Sequence, residues 1–305
     1  MALLKLSAGF FGITLLIASC SEGSSKGSPD EPDPTPVSPT EKLEIKINPS
    51  LSRTKANDSG FEQGDCVGLY VVNYKDGIAG TLQDSGNHVD NMRFTYNDTW
   101  EPDRKIYWLD NDTHADIYLY YPYANVTTVT AMLFSVSADQ SVEVNYKSSD
   151  LLIGKTADTA PTTSAISVLA NHVMSRVSIT LEAGSGFTAQ TLASADVSVK
   201  INNLKTEATV NLTDATVAVS GNPSVVTPNL QNGVYRAIVV PQSVDEGDLI
   251  TVTVEGKDYN FKKGLTFESG KNYNFTLTLS KTTTGINVSI GNWDDDGVDY
   301  GGTAE

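Results

Sequence analysis

Cysteine, histidine and basic charge are all scarce in this chain of 305 residues. Two cysteines, Cys20 and Cys66, cannot build a disulfide framework, and no CxxC or Cys/His cluster offers a zinc site. His88, His114 and His172 lie far apart, and no GxSxG elbow, HExxH helix or phosphate-binding glycine loop accompanies them. No catalytic residue, metal site or cofactor is therefore expected. Twenty-one Lys and Arg face 37 Asp and Glu, a formal net charge of −16. That excludes a nucleic-acid partner, because phosphate contact needs a basic face. Charged residues make up 19%, below the roughly 25% of an average soluble domain, and 39% hydrophobic residues suffice to build cores. The length leaves room for two cores, or for one core and a tail.

Long apolar runs are also missing after the first twenty residues. Within those, Lys5 precedes an apolar stretch from Phe10 to Ala18 interrupted only by Thr14, and the stretch ends in Ile17-Ala18-Ser19-Cys20. It is too short for a bilayer core and reads as a secretory signal. Small residues before a cysteine form the bacterial lipobox, so residues 1–19 are expected to be removed and Cys20 to become an acylated N-terminus. Each buried methylene of an acyl chain such as palmitate contributes about 0.8 kcal/mol, so two or three chains anchor a domain stably. Residues 20–40, rich in Ser, Gly, Pro, Asp and Glu, cannot repay the entropy of ordering. They form a tether that spans roughly 60 Å when extended at about 3.1 Å per residue.

Beyond the tether, apolar residues alternate with a period of two, as in half-buried strands. Leu43, Ile45 and Ile47 share a face, as do Met92, Phe94 and Tyr96, then Ile117, Leu119 and Tyr121, then Val142, Val144 and Tyr146. The second half repeats this at Val177, Ile179 and Leu181, at Val197, Val199 and Ile201, at Ile250, Val252 and Val254, at Tyr273, Phe275, Leu277 and Leu279, and at Ile286, Val288 and Ile290. No stretch has a convincing helical period. Turns such as Lys75-Asp76-Gly77 and Glu246-Gly247-Asp248 punctuate the runs, which favours antiparallel sandwiches over βαβ units. A Ser/Thr/Ala/Pro-rich stretch from Thr156 to Ser164 marks the best internal boundary. The expectation is an all-β chain with sandwich domains at 41–167 and 168–291 and an acidic tail at 292–305.

Few constellations could carry chemistry. Asn292 to Gly297 resembles the first half of a calcium loop, but Thr303 stands where a bidentate Glu is needed, so an acidic turn is the simpler reading. Cys66 lies in an apolar run with no base beside it and reads as a buried small hydrophobe. Glu62 and Asp65 form one of many chance carboxylate pairs. The cluster of aromatics offers two readings. Trp100, Trp108, Tyr120 and Tyr123 could stack on sugars as a glycan-binding surface, or their rings could fill a core and interfaces.

The residues in order resemble the fimbrillins, the type V pilins of Bacteroidales-type anaerobes. The resemblance covers nearly the whole chain. Its elements are the lipobox at Cys20, Ser52-Arg53-Thr54-Lys55-Ala56 leading into Phe61 to Tyr70, Phe94-Thr95-Tyr96 with Trp100, Tyr107-Trp108, Tyr120-Tyr121-Pro122-Tyr123 and Asp150-Leu151-Leu152. Asn171 to Val177, Tyr235 to Gln242, Phe267 to Tyr273 and Ile290-Gly291-Asn292-Trp293 complete it. It implies two tandem transthyretin-like, Greek-key sandwiches exported as an outer-membrane lipoprotein and assembled at the cell surface into a fimbria that supports adhesion. In that family an arginine-specific protease removes an N-terminal segment, and a donor strand from a neighbouring subunit fills the groove. Carried onto this sequence, the bond between Arg53 and Thr54 is the processing site, Leu43, Ile45 and Ile47 the leaving strand, and Ile286, Val288 and Ile290 the donor strand. Partners are then other fimbrial subunits or copies of this chain, with the outer membrane reached through lipid. Alternatively Arg53 is a surface residue and the C-terminal strand closes its own sheet. The rival function is a monomeric surface lipoprotein that binds glycans.

Overall fold

A computed structural model describes residues 42–51, 60–282 and 285–290. The signal, Cys20, the tether, Arg53, Thr54 and the tail after Ile290 all lie outside the described residues. The first part of the body holds β1 (Ile47–Leu51), β2 (Cys66–Asn73), β3 (Val89–Asn97), β4 (Thr99–Pro102), β5 (Ala115–Tyr121), β6 (Met132–Ser135), α1 (Glu143–Ser148), β7 (Leu152–Thr159) and β8 (Ile166–His172). Seven of these strands form one sheet in the order β1-β8-β7-β5-β2-β3-β4. All its pairs are antiparallel except β1 with β8.

The centre of this sheet is buried on both faces, and the near-continuous apolar runs of β2 and β5 are what such a position demands. Leu69, Val71, Ile117 and Leu119 fill a first core, while Tyr70, Val72, Tyr118 and Tyr120 fill another on the opposite face. Gly68 makes the second face possible: a Cβ there would overlap the Tyr120 ring and come within 2.7 Å of Asn91 Oδ1. The Tyr120 hydroxyl donates to Asn91 Oδ1 or the Ala124 carbonyl, each at 2.7 Å. Burial pushes its phenol up to about 12.

The rest of the body holds β9 (Ser175–Ala183), α2 (Ala189–Ser194), β10 (Val197–Val210), β11 (Val217–Val226), β12 (Asn229–Gln231), β13 (Val234–Val239), β14 (Gln242–Val244), β15 (Asp248–Val254), β16 (Lys257–Lys262), β17 (Leu265–Phe267), β18 (Asn272–Thr282) and β19 (Gly285–Ile290). A second sheet runs β11-β10-β15-β16, a third runs β12-β13-β9-β18-β19, and β14 pairs with β17. In the third sheet β9 and β18 are parallel. A second core lies between these sheets, built on Val177, Ile179, Val199, Ile250, Val252 and Phe275.

The fourteen-residue β10 ties the halves of the sequence together. Its start pairs with β15 and its end with β6, and there Ala208 and Val210 join the same core as Tyr70 and Tyr120. Two buried glutamines extend the backbone ladders into this region. Gln140 donates to the carbonyls of Ser137 (3.0 Å) and Ile238 (2.7 Å) and accepts from the Ile238 N–H (2.8 Å). Gln242 exchanges bonds with both backbone groups of Lys205 and donates to the Val240 carbonyl.

Two features depart from the sequence reading. Val142, Val144 and Tyr146 do not lie on a strand, because the segment from Glu143 folds as α1. Asp139 accepts from the Ser141 N–H, and Glu143 pairs with Lys147 at helical spacing (2.9 Å), so local polar bonds favour a turn of helix. The two valines are 51% and 70% exposed, so their alternation has no core to face. The stretch from Thr156 to Ser164 is also not a linker. β7 runs through Thr159, β8 resumes antiparallel to it at Ile166, and residues 160–165 only turn the chain between them. A cut between residues 167 and 168 falls inside β8.

Candidate strand-exchange site

The N-terminal described segment is held on both sides. On one side it pairs with the chain beyond β4: the Trp108 N–H donates to the Leu43 carbonyl and the Ile45 N–H to the Ile106 carbonyl, both at 2.9 Å. On the other, the Ile166 N–H donates to the Lys46 carbonyl at 2.8 Å, and β1 continues parallel to β8 from Ile47 opposite Ile166 to Leu51 opposite Ala170. The segment thus bridges the two ends of the seven-stranded order. Ile45 and Ile47 are buried in the first core, with Leu43 and Leu51 packed against it. Burying an isoleucine side chain contributes about 1.5–3 kcal/mol, so these two contribute roughly 3–6 kcal/mol to the closed state. Departure of the segment would leave an apolar slot flanked by unpaired backbone at 106–108 and along β8.

At the other end β19 lies at the edge of the third sheet, antiparallel to β18. Ile286, Val288 and Ile290 stand in register with Lys281, Leu279 and Leu277. The C-terminal strand is therefore paired with the strand that precedes it. Cys20 and the Arg53–Thr54 bond lie outside the described residues, as does Asn292 to Gly297.

The aromatic residues offered for sugar stacking are mostly interior. Trp100 is 8% exposed, Trp108 3% and Tyr120 1%. Trp108 Nε1 donates to the Thr162 carbonyl, and Trp100 packs edge-on to Phe61 with centroids 4.9 Å apart. Tyr123 is half-buried with the Arg93 guanidinium 5.8 Å from its ring centre. Trp100 and Trp108 join the first core and Tyr120 the core on the opposite face, so these rings present no common surface to a glycan.

The other candidates are structural. Cys66 Sγ lies 3.4 Å from Thr95 Oγ1 with no base at hand. His88, His114 and His172 contact the Tyr107 carbonyl, Asp158 and Asp150 respectively, so they act in three separate places. Asp65 accepts from the Tyr121 hydroxyl and the Glu62 N–H, and Glu62 pairs with Lys147. Among the described residues no three His, Cys, Asp or Glu side chains gather to hold a metal, and no helix is long and apolar enough to cross a membrane.

Sequence reasoning missed a buried charge and a cleft. Asp116 is almost fully enclosed and takes hydrogen bonds from Lys155 (2.8 Å), the Tyr74 hydroxyl (3.0 Å) and the Asp158 N–H (3.0 Å). Burial alone would raise its carboxyl, but these bonds outweigh burial and hold it below the ordinary aspartate range. The cleft, about 170 Å³, opens between the ends of β5, β7 and β8, helix α1 and the third sheet. Its lining comes from residues between Leu51 and Asn272, which no local pattern could have collected.

Comparison with known proteins places this geometry. A Bacteroides uniformis protein with the assigned name fimbrium subunit Fim1C is 27% identical over 297 residues, 92% of each chain. A crystal structure of a chain assigned as a cell adhesion protein, also from Bacteroides uniformis, has TM-score 0.62 at 23% identity and covers 82% of this chain and 99% of that one. A fimbrial protein from Bacteroides ovatus gives TM-score 0.54 at 20% identity, over 84% of this chain and 55% of its own. These structures share the fold. A family profile described as fimbrillin-like matches residues 54–293, and the chain therefore belongs to the fimbrillin-like family.

Proposed function

We propose that this chain is a subunit of a cell-surface fimbria, exported as a lipoprotein through Cys20 and assembled by strand addition. The observation that carries the reading is the N-terminal segment 42–51. It is short, lies at the sheet margin, fills the first core with Ile45 and Ile47, and is joined to the body by a segment containing Arg53-Thr54. Cleavage of that bond would release the segment together with the lipid and leave a groove whose backbone and apolar slot fit an incoming strand. Ile286, Val288 and Ile290 repeat the spacing of Leu43, Ile45 and Ile47, so the C-terminal strand of a second copy has the pattern to replace it. Membership of the fimbrillin-like family, and a relative assigned as a fimbrium subunit, support the same reading.

The test is intact mass of the protein from outer-membrane fractions before and after an arginine-specific protease, with assembly followed on unboiled gels. The reading expects an acylated species that loses everything through Arg53 and then forms detergent-resistant ladders. A chain that keeps residues 42–53 and stays monomeric after exhaustive treatment would overturn strand addition.

A further inference from the structure

The cleft has two chemically different walls. One is the outer face of the third sheet. On β9, Val177 and Ile179 enter the second core, so Arg176 and Ser178 occupy the opposite face; on β13, Ala237 enters the core and Arg236 lies opposite. Register sets Arg236 beside Ser178 and Asn229, and Arg176 beside Asn272. The result is a platform of two guanidiniums, amides and a hydroxyl. Asn272 Oδ1 accepts from Arg176 Nε (3.0 Å) and Ser178 Oγ (3.1 Å), and Arg236 Nη1 donates to Gln231 Oε1 (3.0 Å). The rest of the lining sets Phe61, Tyr121 and Tyr146 beside four carboxylates and Lys147.

The charges within the cleft are unevenly committed. Glu62 and Glu143 both pair with Lys147, at 2.7 and 2.9 Å. Asp150 pairs with His172, and Asp65 accepts from the Tyr121 hydroxyl. Every carboxylate that lines the cleft already has a partner. Arg236, half-buried, donates to a neutral amide, and no carboxylate among the described residues pairs with it. A guanidinium without a counter-charge, set among amides and facing aromatic rings, suits one ligand carboxylate held by the planar fork. The amides can exchange hydrogen bonds with hydroxyls, and the rings can cover an apolar ring face.

We propose that this cleft binds a carboxylate-bearing sugar, of the uronic or sialic acid type. Its size suits one ring, and its single uncommitted guanidinium suits one carboxylate. An acidic peptide fits less well: the chain's own tail carries Asp294, Asp295, Asp296, Asp299 and Glu305, five carboxylates for a cleft whose lining already holds four. The cleft shares Leu51 with the N-terminal segment, so binding is read on the chain that keeps that segment in place.

The experiment titrates the full-length chain with methyl glucuronide, N-acetylneuraminic acid and methyl glucoside, followed by saturation-transfer NMR and calorimetry. At least one acidic sugar should bind tenfold or more tightly than the neutral glucoside. Arg236→Gln should remove that preference, and Arg236→Lys should restore only part of it because the fork is lost. The proposal fails if neither acidic sugar binds at about 10 mM. It also fails if Arg236→Gln binds both classes as the native chain does, or if a synthetic peptide of residues 292–305 binds while the sugars do not.

Discussion

Replacing Gln140 by alanine is a severe test of how the body is held together, because one buried amide completes the ladder of a strand 98 residues away. The substitution removes both bonds to Ile238 and the bond to the Ser137 carbonyl. Ile238 is itself buried in the core shared by both halves of the sequence, so its N–H and carbonyl would lose their partner away from water. Each such group costs about 1–3 kcal/mol, so the loss should be roughly 2–6 kcal/mol, nearer the low end if water enters the space left behind. At about 2–4 °C per kcal/mol for a body of this size, the melting temperature should fall by roughly 4–24 °C, in the lower part of that range if water enters. Calorimetry of the purified chain reads this directly. Gln140→Glu sharpens the test, since it keeps the oxygen that accepts from Ile238 but turns a carboxylate oxygen toward two carbonyls. At pH 7 it should be at least as unstable as the alanine variant, and the gap to the native chain should narrow as the pH falls and the acid becomes a donor. A Gln140→Ala variant within about 0.5 kcal/mol of native, the range of an ordinary surface substitution, would refute the reasoning, as would a Gln140→Glu variant of native stability at pH 7.

Three further outcomes are expected. Asp116 is held ionised below its ordinary range, so its contribution is present at neutral pH and is lost as pH falls below the unfolded value of about 3.9 toward the lower folded one; Asp116→Asn should flatten the acid limb of the stability curve, read by chemical denaturation across pH. Gly68→Ala should cost about 1–3 kcal/mol by forcing a methyl against Tyr120 and Asn91, and should also break the Tyr120 hydroxyl bonds, visible as a blue-shifted tyrosine absorption and a lower melting temperature. Ile45→Ala and Ile47→Ala should each cost about 2–5 kcal/mol, and together they should speed hydrogen exchange at Ile166 and Trp108 while leaving β15 and β18 protected.

What the sequence made legible depends on how many faces of each strand are buried. β9, β15 and β18 alternate cleanly because one face meets the second core, and residues such as Val177, Ile250 and Phe275 are where the pattern puts them. β2 and β5 are buried on both faces, so alternation alone left Tyr120 open between a sugar-stacking surface and a core, and Tyr118 and Tyr120 face a core of their own. Val142 and Val144, before and within α1, show the converse, since alternation over three positions carries no weight when neither valine has anything to pack against. The shared face of Leu43, Ile45 and Ile47 was legible from its period, although strand β1 begins only at Ile47, and the segment's grip on two separate edges was not legible. The cleft and the Gln140 bridge were invisible for another reason. They join residues that are near only after the sheets have packed, and no period connects Phe61 with Asn272 or Gln140 with Ile238.

The hold on the N-terminal segment gives the body a mechanical direction. A pull on Lys42 along the strand axis strains the bonds to β8 and to 106–108 together, in shear, so the segment resists as a unit. A pull across the sheet strains them one after another, from Leu43 toward Leu51, so the same bonds unzip under a far smaller load. Toward the C-terminus β19 meets one ladder, with β18, in which Ile290 stands opposite Leu277 and Gly285 opposite Thr282. Traction applied at Ile290 peels it from Leu277 toward Thr282. A load passed through the body from end to end should therefore free the C-terminal strand first and the N-terminal clasp last, which makes the order in which the two ends let go a property of hydrogen-bond geometry.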